Sequence, residues 1–261
     1  MLLAPNERAV TVALNPGAAS PFLLLGDHAG REIPASLGDL GLPQAERARH
    51  IAWDIGVAGL GALLSRALDA PFLRQRFSRL VIDCNRDPAR ADAIPEVSDG
   101  AEIPGNRALT PAARQARVAE VAEPYHAAIA AELDRRAARG LPTTLISLHS
   151  FTPRMDGSDR PWRFGVLHAG DSRYSRAVLA RLRAKLDAAL VGDNQPYRMD
   201  EVDFTVPRHA GPRGLDYLEL EVRQDLIAEP AGQVEIAAIV ARILPLALDD
   251  VRAQDIAKSG A

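Results

Sequence analysis

Two histidines follow short apolar segments that are typical of buried strands. His28 ends the segment 23–28, and His149 ends the segment 145–149. Because ligands of open α/β sheets gather at the carboxyl ends of parallel strands, we expect both imidazoles to reach the same edge of one sheet. Imidazole nitrogen is a common ligand of catalytic zinc. The pair therefore predicts a metal site, which needs a carboxylate as a further ligand.

Two acidic residues could provide that ligand. Glu32 follows His28 by four positions, so both side chains could reach one ion from a turn. Asp54 is an isolated carboxylate in an apolar, helix-like segment, and a buried carboxylate must be paired, hydrogen-bonded or bound to a metal. Asp54 could instead orient a liganding histidine. The residues alone leave the choice open, and surface positions for both carboxylates are the alternative interpretation.

A third apolar segment, 217–222, carries carboxylates toward the same edge. Side chains alternate between the two faces of a strand, so Glu219, Glu221 and Arg223 share one face. Three charges on one face are costly to bury, and we therefore expect them to line a polar cleft. Glu221 is predicted to be the general base for the water that a metal would activate.

Two further segments carry residues suited to binding negative charge. In the segment 78–87, Arg86 could bind a substrate carboxylate through two parallel hydrogen bonds, and Asn85 could add a neutral one. His209 lies in the glycine- and proline-rich segment 208–214, where it could stabilise a developing oxyanion. The alternatives are structural ion pairs for the arginine and simple exposure for the histidine.

Strand-like and helical segments alternate along the chain. The predicted strands are 22–26, 72–77, 80–84, 143–148, 164–168 and 217–222. The predicted helices are 44–68, 110–139, 172–190 and 231–248. This alternation predicts one α/β domain over residues 1–261, with a mostly parallel central sheet between two helical layers.

Two long segments do not fit this alternation. Residues 86–106 and 192–214 are irregular and polar. Loops of this length are uncommon unless they are functional or disordered, so we predict that both form walls of an active-site cleft. We expect the chain to fray after about residue 249.

The composition excludes several classes of protein. A net charge of −3 gives no reason to expect nucleic-acid binding, and a single cysteine, Cys84, fits a reducing compartment. No signal peptide or membrane-spanning segment is expected, which predicts a cytoplasmic protein. The chain also lacks the serine-hydrolase elbow and the phosphate-binding loop motifs.

At these residues the chain resembles the N-formylglutamate amidohydrolase family, whose members are related in fold to zinc carboxypeptidases and aspartoacylase. The similar segments are 28–34, 78–86, 149–151 and 221–225. Their order along residues 22–227 is more specific than any one of them. The resemblance implies a three-layer α/β/α sandwich with a mixed central sheet, like that of zinc exopeptidases.

The resemblance also implies roles for individual residues. It makes His28 and His149 ligands of one zinc ion, with Glu32 or Asp54 as the acidic third ligand. Arg79 is similar to the arginine that polarises the scissile carbonyl in these relatives. Asn85 and Arg86 are similar to the pair that holds the substrate carboxylate, and Glu221 would shuttle the proton.

The reaction implied is removal of a small acyl group from an amino acid, with N-formyl-L-glutamate as the first candidate substrate. Ala29 replaces the serine that usually follows the first histidine, and the segments 53–56 and 223–225 indicate a side branch of the family. The alternatives are a carboxypeptidase- or amidase-like zinc hydrolase with another substrate, and a non-catalytic metabolite-binding protein. Other divalent metals and any oligomeric state stay open.

Overall fold

A mixed sheet of seven strands forms the centre of the computed structural model, which describes residues 1–7, 9–155, 157–170, 172–199 and 203–259. Its strands lie in the order β1-β3-β2-β6-β11-β9-β10, and the pairs β4–β5 and β7–β8 form separate hairpins. Their bounds are β1 (Thr11–Leu14), β2 (Phe22–Gly26), β3 (Phe72–Gln75), β4 (Val97–Ser98), β5 (Ala101–Glu102), β6 (Thr144–Phe151), β7 (Arg154–Met155), β8 (Ser158–Asp159), β9 (Phe164–Leu167), β10 (Val191–Asp193) and β11 (Asp216–Arg223).

The direction of the strands agrees with the prediction of a mostly parallel sheet. Strands β3, β2, β6 and β11 run parallel to their neighbours in this central block. Strand β1 is antiparallel to β3, and β9 is antiparallel to β11. The carboxyl ends of β2, β6 and β11 therefore meet at one edge, as the sequence predicts.

Helices cover both faces of the sheet. They are α1 (Gln44–Arg47), α2 (Val57–Ala67), α3 (Pro111–Arg117), α4 (Glu123–Ala138), α5 (Arg173–Lys185), α6 (Thr205–His209) and α7 (Pro230–Ser259). Strand β2 shows the division, because Leu24 packs with α2, α5 and α7, whereas Leu23 and Leu25 pack with α4 and α6. This arrangement is the predicted three-layer α/β/α architecture.

Two local predictions are wrong because tertiary contacts override sequence periodicity. The segment 80–84 forms turns and not a strand. The predicted helix 44–68 is divided into α1 and α2 by turns, and α2 begins after Gly56, whose φ is 85°. A Cβ at Gly56 would lie 2.1 Å from the carbonyl oxygen of Ile227, so this close approach requires glycine. The strands β1 and β10 are short and were not predicted.

The C-terminal helix α7 is longer than the predicted helix 231–248. It continues to Ser259, and Val251, beyond residue 249, still packs in the core. The expected fraying after about residue 249 stays a prediction. Residues 260 and 261 lie outside the described residues. By length and composition alone, helix α7 could cross a membrane, because a window within it has a mean hydropathy of 1.6. Since Ile236, Val240 and Leu244 pack against the sheet layer, we interpret α7 as a helix of the core.

Candidate metal centre

The two predicted histidines lie side by side at the carboxyl edge of the sheet. His28 follows the end of β2, and His149 lies near the end of β6. Their ring centroids are 5.0 Å apart, and each residue is only 3% exposed. The structure therefore brings both imidazoles together in a buried position.

Asp54 joins the two imidazoles. Its Oδ2 lies 3.0 Å from Nδ1 of His149 and 3.5 Å from Nδ1 of His28, and it accepts a hydrogen bond from the backbone of Ser150. One possible ligand atom from each of the three side chains lies within 4.8 Å of the others. Asp54 is in the turn before α2 and not on a helix face, and its N–H donates to the carbonyl of His28.

The Nε2 atom of each imidazole lies next to a further carboxylate, a different one for each ring. Nε2 of His28 lies 2.6 Å from Oδ1 of Asp83, and Nε2 of His149 lies 3.3 Å from Oδ2 of Asp27. Each ring therefore directs Nδ1 toward Asp54, and the buried Nδ1 of His28 has no hydrogen-bond partner in the described structure. Ligating histidines commonly have such outer carboxylate partners. The donor set fits a divalent metal such as zinc.

The pKa values follow from this arrangement of charges. Burial opposes ionisation of Asp27, but the hydrogen bond and charge of His149 outweigh it and lower the pKa to about 2. Burial also lowers the pKa of His149, but the hydrogen bonds to Asp27 and Asp54 outweigh burial and raise the pKa well above its usual range. The carboxylates around the two imidazoles therefore favour a positive charge at this position, either a proton or a bound cation.

Glu32, the other predicted candidate for the third ligand, lies outside this group. Its segment is extended, with its N–H bonded to the carbonyl of Arg76 and its own carbonyl accepting the N–H of Ser78. The carboxylate is 52% exposed and forms an ion pair with Arg76 at 3.0 Å. The turn that would bring Glu32 back to His28 does not form, so the structure favours Asp54.

A pocket of about 310 Å³ opens over the candidate metal group. Both irregular segments contribute to it, the first through Arg86 and Ser98 and the second through Tyr197 and Asp203, so the prediction that they form walls is confirmed for the described residues. Positions 200–202 of the second segment lie outside them. The lining residues are His28, His50, Ile51, Asp54, Arg79, Asn85, Arg86, Ser98, His149, Ser150, Met155, Leu167, Tyr197, Arg198, Asp203, Glu219 and Glu221.

Glu221 and Glu219 lie on the pocket face of β11, as the two-residue period predicts. Glu221 pairs in register with His149 of β6. Burial raises the pKa of Glu221 to about 7, although the nearby charge of His149 works against this shift. Oε2 of each glutamate is buried and has no hydrogen-bond partner in the described structure. This shift makes Glu221 a better proton acceptor than an exposed carboxylate.

Gly165 of β9 lies between Glu221 and Gln195, where a larger side chain would contact both residues. It pairs in register with Glu221 across the antiparallel strands. A Cβ at position 165 would lie 3.2 Å from Cβ of Glu221 and 2.0 Å from the carbonyl oxygen of Gln195. The absent side chain lets the segment 194–199 pass directly over the strand beside the predicted base.

Arg79 is fixed by the outer carboxylate of the metal group. Its Nη2 lies 2.5 Å from Oδ2 of Asp83, and its Nη1 lies 3.5 Å from Oδ1 of Asp54. Burial lowers the pKa of Arg79, but Asp83 and Asp54 outweigh burial and raise it. The guanidinium is therefore a permanent positive charge at the pocket wall.

Asn85 and Arg86, the pair predicted to bind a carboxylate, also form hydrogen bonds within the protein. Asn85 Oδ1 accepts the N–H groups of Phe204 and Thr205 at 3.0 and 2.9 Å, and its Nδ2 donates to Asp203. Nη1 of Arg86 donates to the carbonyl of Asn85 at 2.9 Å. Both residues line the pocket, so a substrate can still reach them.

His209 does not reach the pocket. It ends α6 instead of lying in a loop, and only 2% of it is exposed. Its Nε2 lies 3.1 Å from Nδ1 of His126, whose Nε2 lies 3.1 Å from the carbonyl of Cys84. Burial lowers the pKa of His126 to about 4 and that of His209 to about 3. His209 is not among the residues that line the pocket, and its oxyanion role stays a prediction without support from this geometry.

Sequence reasoning missed Asp27, Asp83, Asp203 and His126. Asp27 precedes His28 and Asp83 lies two positions before Asn85, and a carboxylate near a candidate ligand is the signal that could have identified them. His126 lies within a helix next to Tyr125, on a face that predicts core packing. Asp203 follows no recognisable pattern in the sequence.

The fold and the pocket define an α/β protein with a candidate mononuclear metal centre. The family model for N-formylglutamate amidohydrolase matches residues 20–228. The chain belongs to the N-formylglutamate amidohydrolase family, and so to a family of amide hydrolases with small-molecule substrates.

Two solved structures have a similar fold. A gene product from Agrobacterium tumefaciens is 36% identical, with a TM-score of 0.92 over 97% of this chain and 100% of that one. An N-formylglutamate amidohydrolase from Ralstonia eutropha JMP134 is 22% identical, with a TM-score of 0.68 over 94% of this chain and 100% of that one, and shows a shared fold. The comparison with curated proteins found no significant match.

Proposed function

We propose that this protein is a metal-dependent amidohydrolase that removes a formyl or similar small acyl group from an amino acid. The first candidate reaction converts N-formyl-L-glutamate and water to formate and L-glutamate. The observation that carries the proposal is that Glu221 lines the same pocket as the buried group of His28, Asp54 and His149. The family supports an amide substrate, and the name of the Ralstonia relative supports formylglutamate.

Three residues would hold the metal in this proposal. His28 and His149 would bind through their Nδ1 atoms, and Asp54 would bind through a carboxylate oxygen. Zinc is the first candidate, although other divalent ions also accept imidazole and carboxylate ligands. When bound, the ion would polarise the acyl carbonyl and lower the pKa of a water molecule.

Glu221 would carry the proton between the two halves of the reaction. It takes a proton from the attacking water as the new carbon–oxygen bond forms. It then gives that proton to the amine nitrogen as the carbon–nitrogen bond breaks. Burial raises the pKa of this carboxyl, which favours uptake of the proton from water in the first step.

The arginines would orient the substrate and stabilise negative charge. Arg79 is held by Asp83 beside the candidate metal group, where it can stabilise the oxyanion of the tetrahedral intermediate. Arg86 and Asn85 line the same cavity and would hold the amino-acid carboxylate. Because the pocket is small, binding there would orient the amide for attack.

The proposal is tested with the Glu221→Gln variant and a panel of N-formyl and other N-acyl amino acids. We expect turnover of the preferred formyl amino acid to fall by about 10²- to 10⁴-fold, the usual contribution of a general base, while metal content stays at that of the parent protein. Glu32→Gln is the matched control and should keep both metal and turnover, because Glu32 lies outside the pocket.

Three results would contradict the proposal. Near-normal turnover by Glu221→Gln would exclude Glu221 as the proton carrier. Turnover of peptides alone would indicate a carboxypeptidase-like enzyme. Protein purified without chelator that holds no stoichiometric metal and turns over nothing in the panel would indicate a metabolite-binding protein.

We also propose a cytoplasmic location, which the free, buried thiol of Cys84 supports.

A further inference from the structure

Helix α7 presents an apolar face to solvent as well as one to the core. Only 33% of its apolar window is buried within the chain. Val234, Leu246 and Ile256 are 57%, 45% and 73% exposed, although all three are large apolar residues. Exposed apolar side chains gathered on one element mark a surface that binds a partner. The question is which partner this helix fits.

The exposed apolar side chains share one stripe of the helix with small and charged residues. At 3.6 residues per turn, the stripe spans about 120° of the circumference. Its exposed members, which we call the outer face, are Val234, Glu235, Ala238, Arg242, Leu246, Asp249, Arg252, Ala253 and Ile256. Since the helix has 30 residues and is about 45 Å long, the outer face has the shape that a second helix would cover.

A groove between α5 and α7 places positive charge beside the first half of the outer face. The groove has a volume of about 420 Å³, and its apolar part includes Ile239 and Ile243. Its three cations are Arg181, Lys185 and Arg242. Arg181 forms an ion pair with an aspartate of α7, whereas Lys185 and Arg242 have no ion pair or hydrogen bond within the described residues. A partner for this groove therefore needs acidic and apolar side chains.

The second half of the same face offers those side chains. The Asp249 side chain is 69% exposed, and it lies 3.8 Å from Arg252 in an exposed ion pair, which contributes little. Ala253 and Ile256 follow it along the outer face, and both are exposed. The first half of the outer face is thus complementary to the second half in charge and in apolar character.

Two antiparallel copies of the outer face match each other position by position. Pairing about a two-fold axis between residues 245 and 246 places Arg242 opposite Asp249 of the second copy. The same axis places Ala238 opposite Ala253 of the second copy and brings the two Leu246 side chains together. Small residues let the helix backbones approach, and each contact occurs twice because the interface is symmetric.

The charges on this face disfavour a lipid surface as the partner. Glu235, Arg242, Asp249 and Arg252 lie within the same stripe as the exposed apolar residues. Helices that bind membranes separate a charged face from an apolar face, and charges of either sign are costly in hydrocarbon. The mixed pattern instead suits an interface in which charges of opposite sign meet.

We propose that the outer face of α7 joins two copies of this protein in a two-fold symmetric dimer. The two α7 helices are antiparallel, and Arg242 of each copy pairs with Asp249 of the other. No residue of the outer face lines the pocket over the candidate metal group. The inference is therefore independent of the proposed function.

The first test is the oligomeric state of the full chain, measured by sedimentation at micromolar concentrations. We expect the parent protein to be a dimer. Leu246→Asp brings two like charges together at the axis, so the dissociation constant of the dimer should rise at least about 100-fold. Asp134→Arg, at an exposed position of α4 on the opposite face of the sheet, is the control and should stay dimeric. Circular dichroism confirms that both variants fold.

The second test exchanges the charges of the proposed pair. Arg242→Glu and Asp249→Arg should each raise the dissociation constant about 10- to 100-fold, because each variant places like charges opposite each other twice. In a mixture of the two variants, the substituted side chains face each other with opposite charges, and so do the unsubstituted ones. The mixture should therefore form dimers with a dissociation constant within about threefold of that of the parent.

Four results would overturn the inference. A monomeric parent would exclude the dimer, and a parent dimer that withstands Leu246→Asp would place the interface elsewhere. Failure of the two charge variants to dimerise on mixing would exclude the antiparallel pairing of Arg242 with Asp249. A monomeric parent that binds vesicles of phosphatidylcholine and phosphatidylglycerol would assign the outer face to a membrane instead.

Discussion

Two pairs of buried histidines in this protein have similar geometry and different surroundings. The ring centroids are 5.0 Å apart in His28–His149 and 5.3 Å apart in His126–His209, and no residue of either pair is more than 3% exposed. Asp27, Asp54 and Asp83 surround the first pair, whereas the second is bonded to itself and to a backbone carbonyl. Burial and proximity are therefore shared by both pairs, and the surrounding carboxylates are what distinguish the candidate metal centre from the second pair.

The two environments shift the imidazole pKa values in opposite directions. Carboxylates raise the pKa of His28 and His149 against the effect of burial. Burial, with little opposing negative charge, lowers the pKa of His126 to about 4 and that of His209 to about 3. The surroundings of His28 and His149 therefore favour positive charge, whereas those of His126 and His209 favour the neutral imidazole.

The largest expected difference between the pairs is in metal content. His149→Asn should lose stoichiometric metal, and turnover should fall by more than the roughly 100-fold that loss of an outer partner costs, because a direct ligand is removed. His209→Gln should keep the metal. Metal analysis after dialysis, with circular dichroism to confirm folding, measures both. Equal metal loss in the two folded variants would remove the distinction between the pairs.

A smaller effect is expected when an outer carboxylate is neutralised. Asp83→Asn keeps the size of the side chain but removes the negative charge that holds Nε2 of His28. Metal affinity should fall about 10- to 100-fold, as measured by competition with a chromophoric chelator. Asp134→Asn, which alters an exposed ion pair with Arg213, is the control and should bind metal normally. An unchanged affinity in Asp83→Asn would mean that the outer carboxylates do not tune the centre.

The smallest effect concerns stability and pH at the second pair. The folded pKa of His209, about 3, lies below the unfolded value of 6.5, so its contribution is complete above about pH 6.5 and declines as pH falls toward 3. Between pH 6 and pH 5 the parent should lose about 1 kcal/mol more unfolding free energy than His209→Gln. Urea unfolding at both pH values with metal held constant tests this. Parallel losses would show that His209 is not kept neutral by the fold.

Residues on regular strands were predictable from the sequence. The two-residue period placed Glu219 and Glu221 on one face of β11, and the strand ends placed His28 and His149 at one edge. These inferences succeed because strand geometry fixes side-chain direction and parallel strands end together.

Residues on turns were harder to place. Asp54 and Arg79 lie on turns whose conformation depends on contacts with distant segments. The backbone N–H of Asp54 donates a hydrogen bond to the carbonyl of His28, and the backbone N–H of Arg79 donates one to the carbonyl of Ala52. The local sequence pattern does not indicate such contacts, so the choice between Glu32 and Asp54 as the acidic third ligand stayed open. His209 was misplaced for the same reason, because glycine and proline in the segment 208–214 indicated a loop.

The missing side chain at Gly165 limits how this pocket can be redesigned. A single methyl group there would meet the carbonyl of Gln195 at 2.0 Å and crowd Glu221 at 3.2 Å. Any substitution would therefore displace both the segment at Gln195 and Glu221, the proposed proton carrier, so we expect an altered substrate preference to come with a slower reaction. Directed evolution of new selectivity should instead start at Arg198, whose side chain has no structural partner to lose within the described chain.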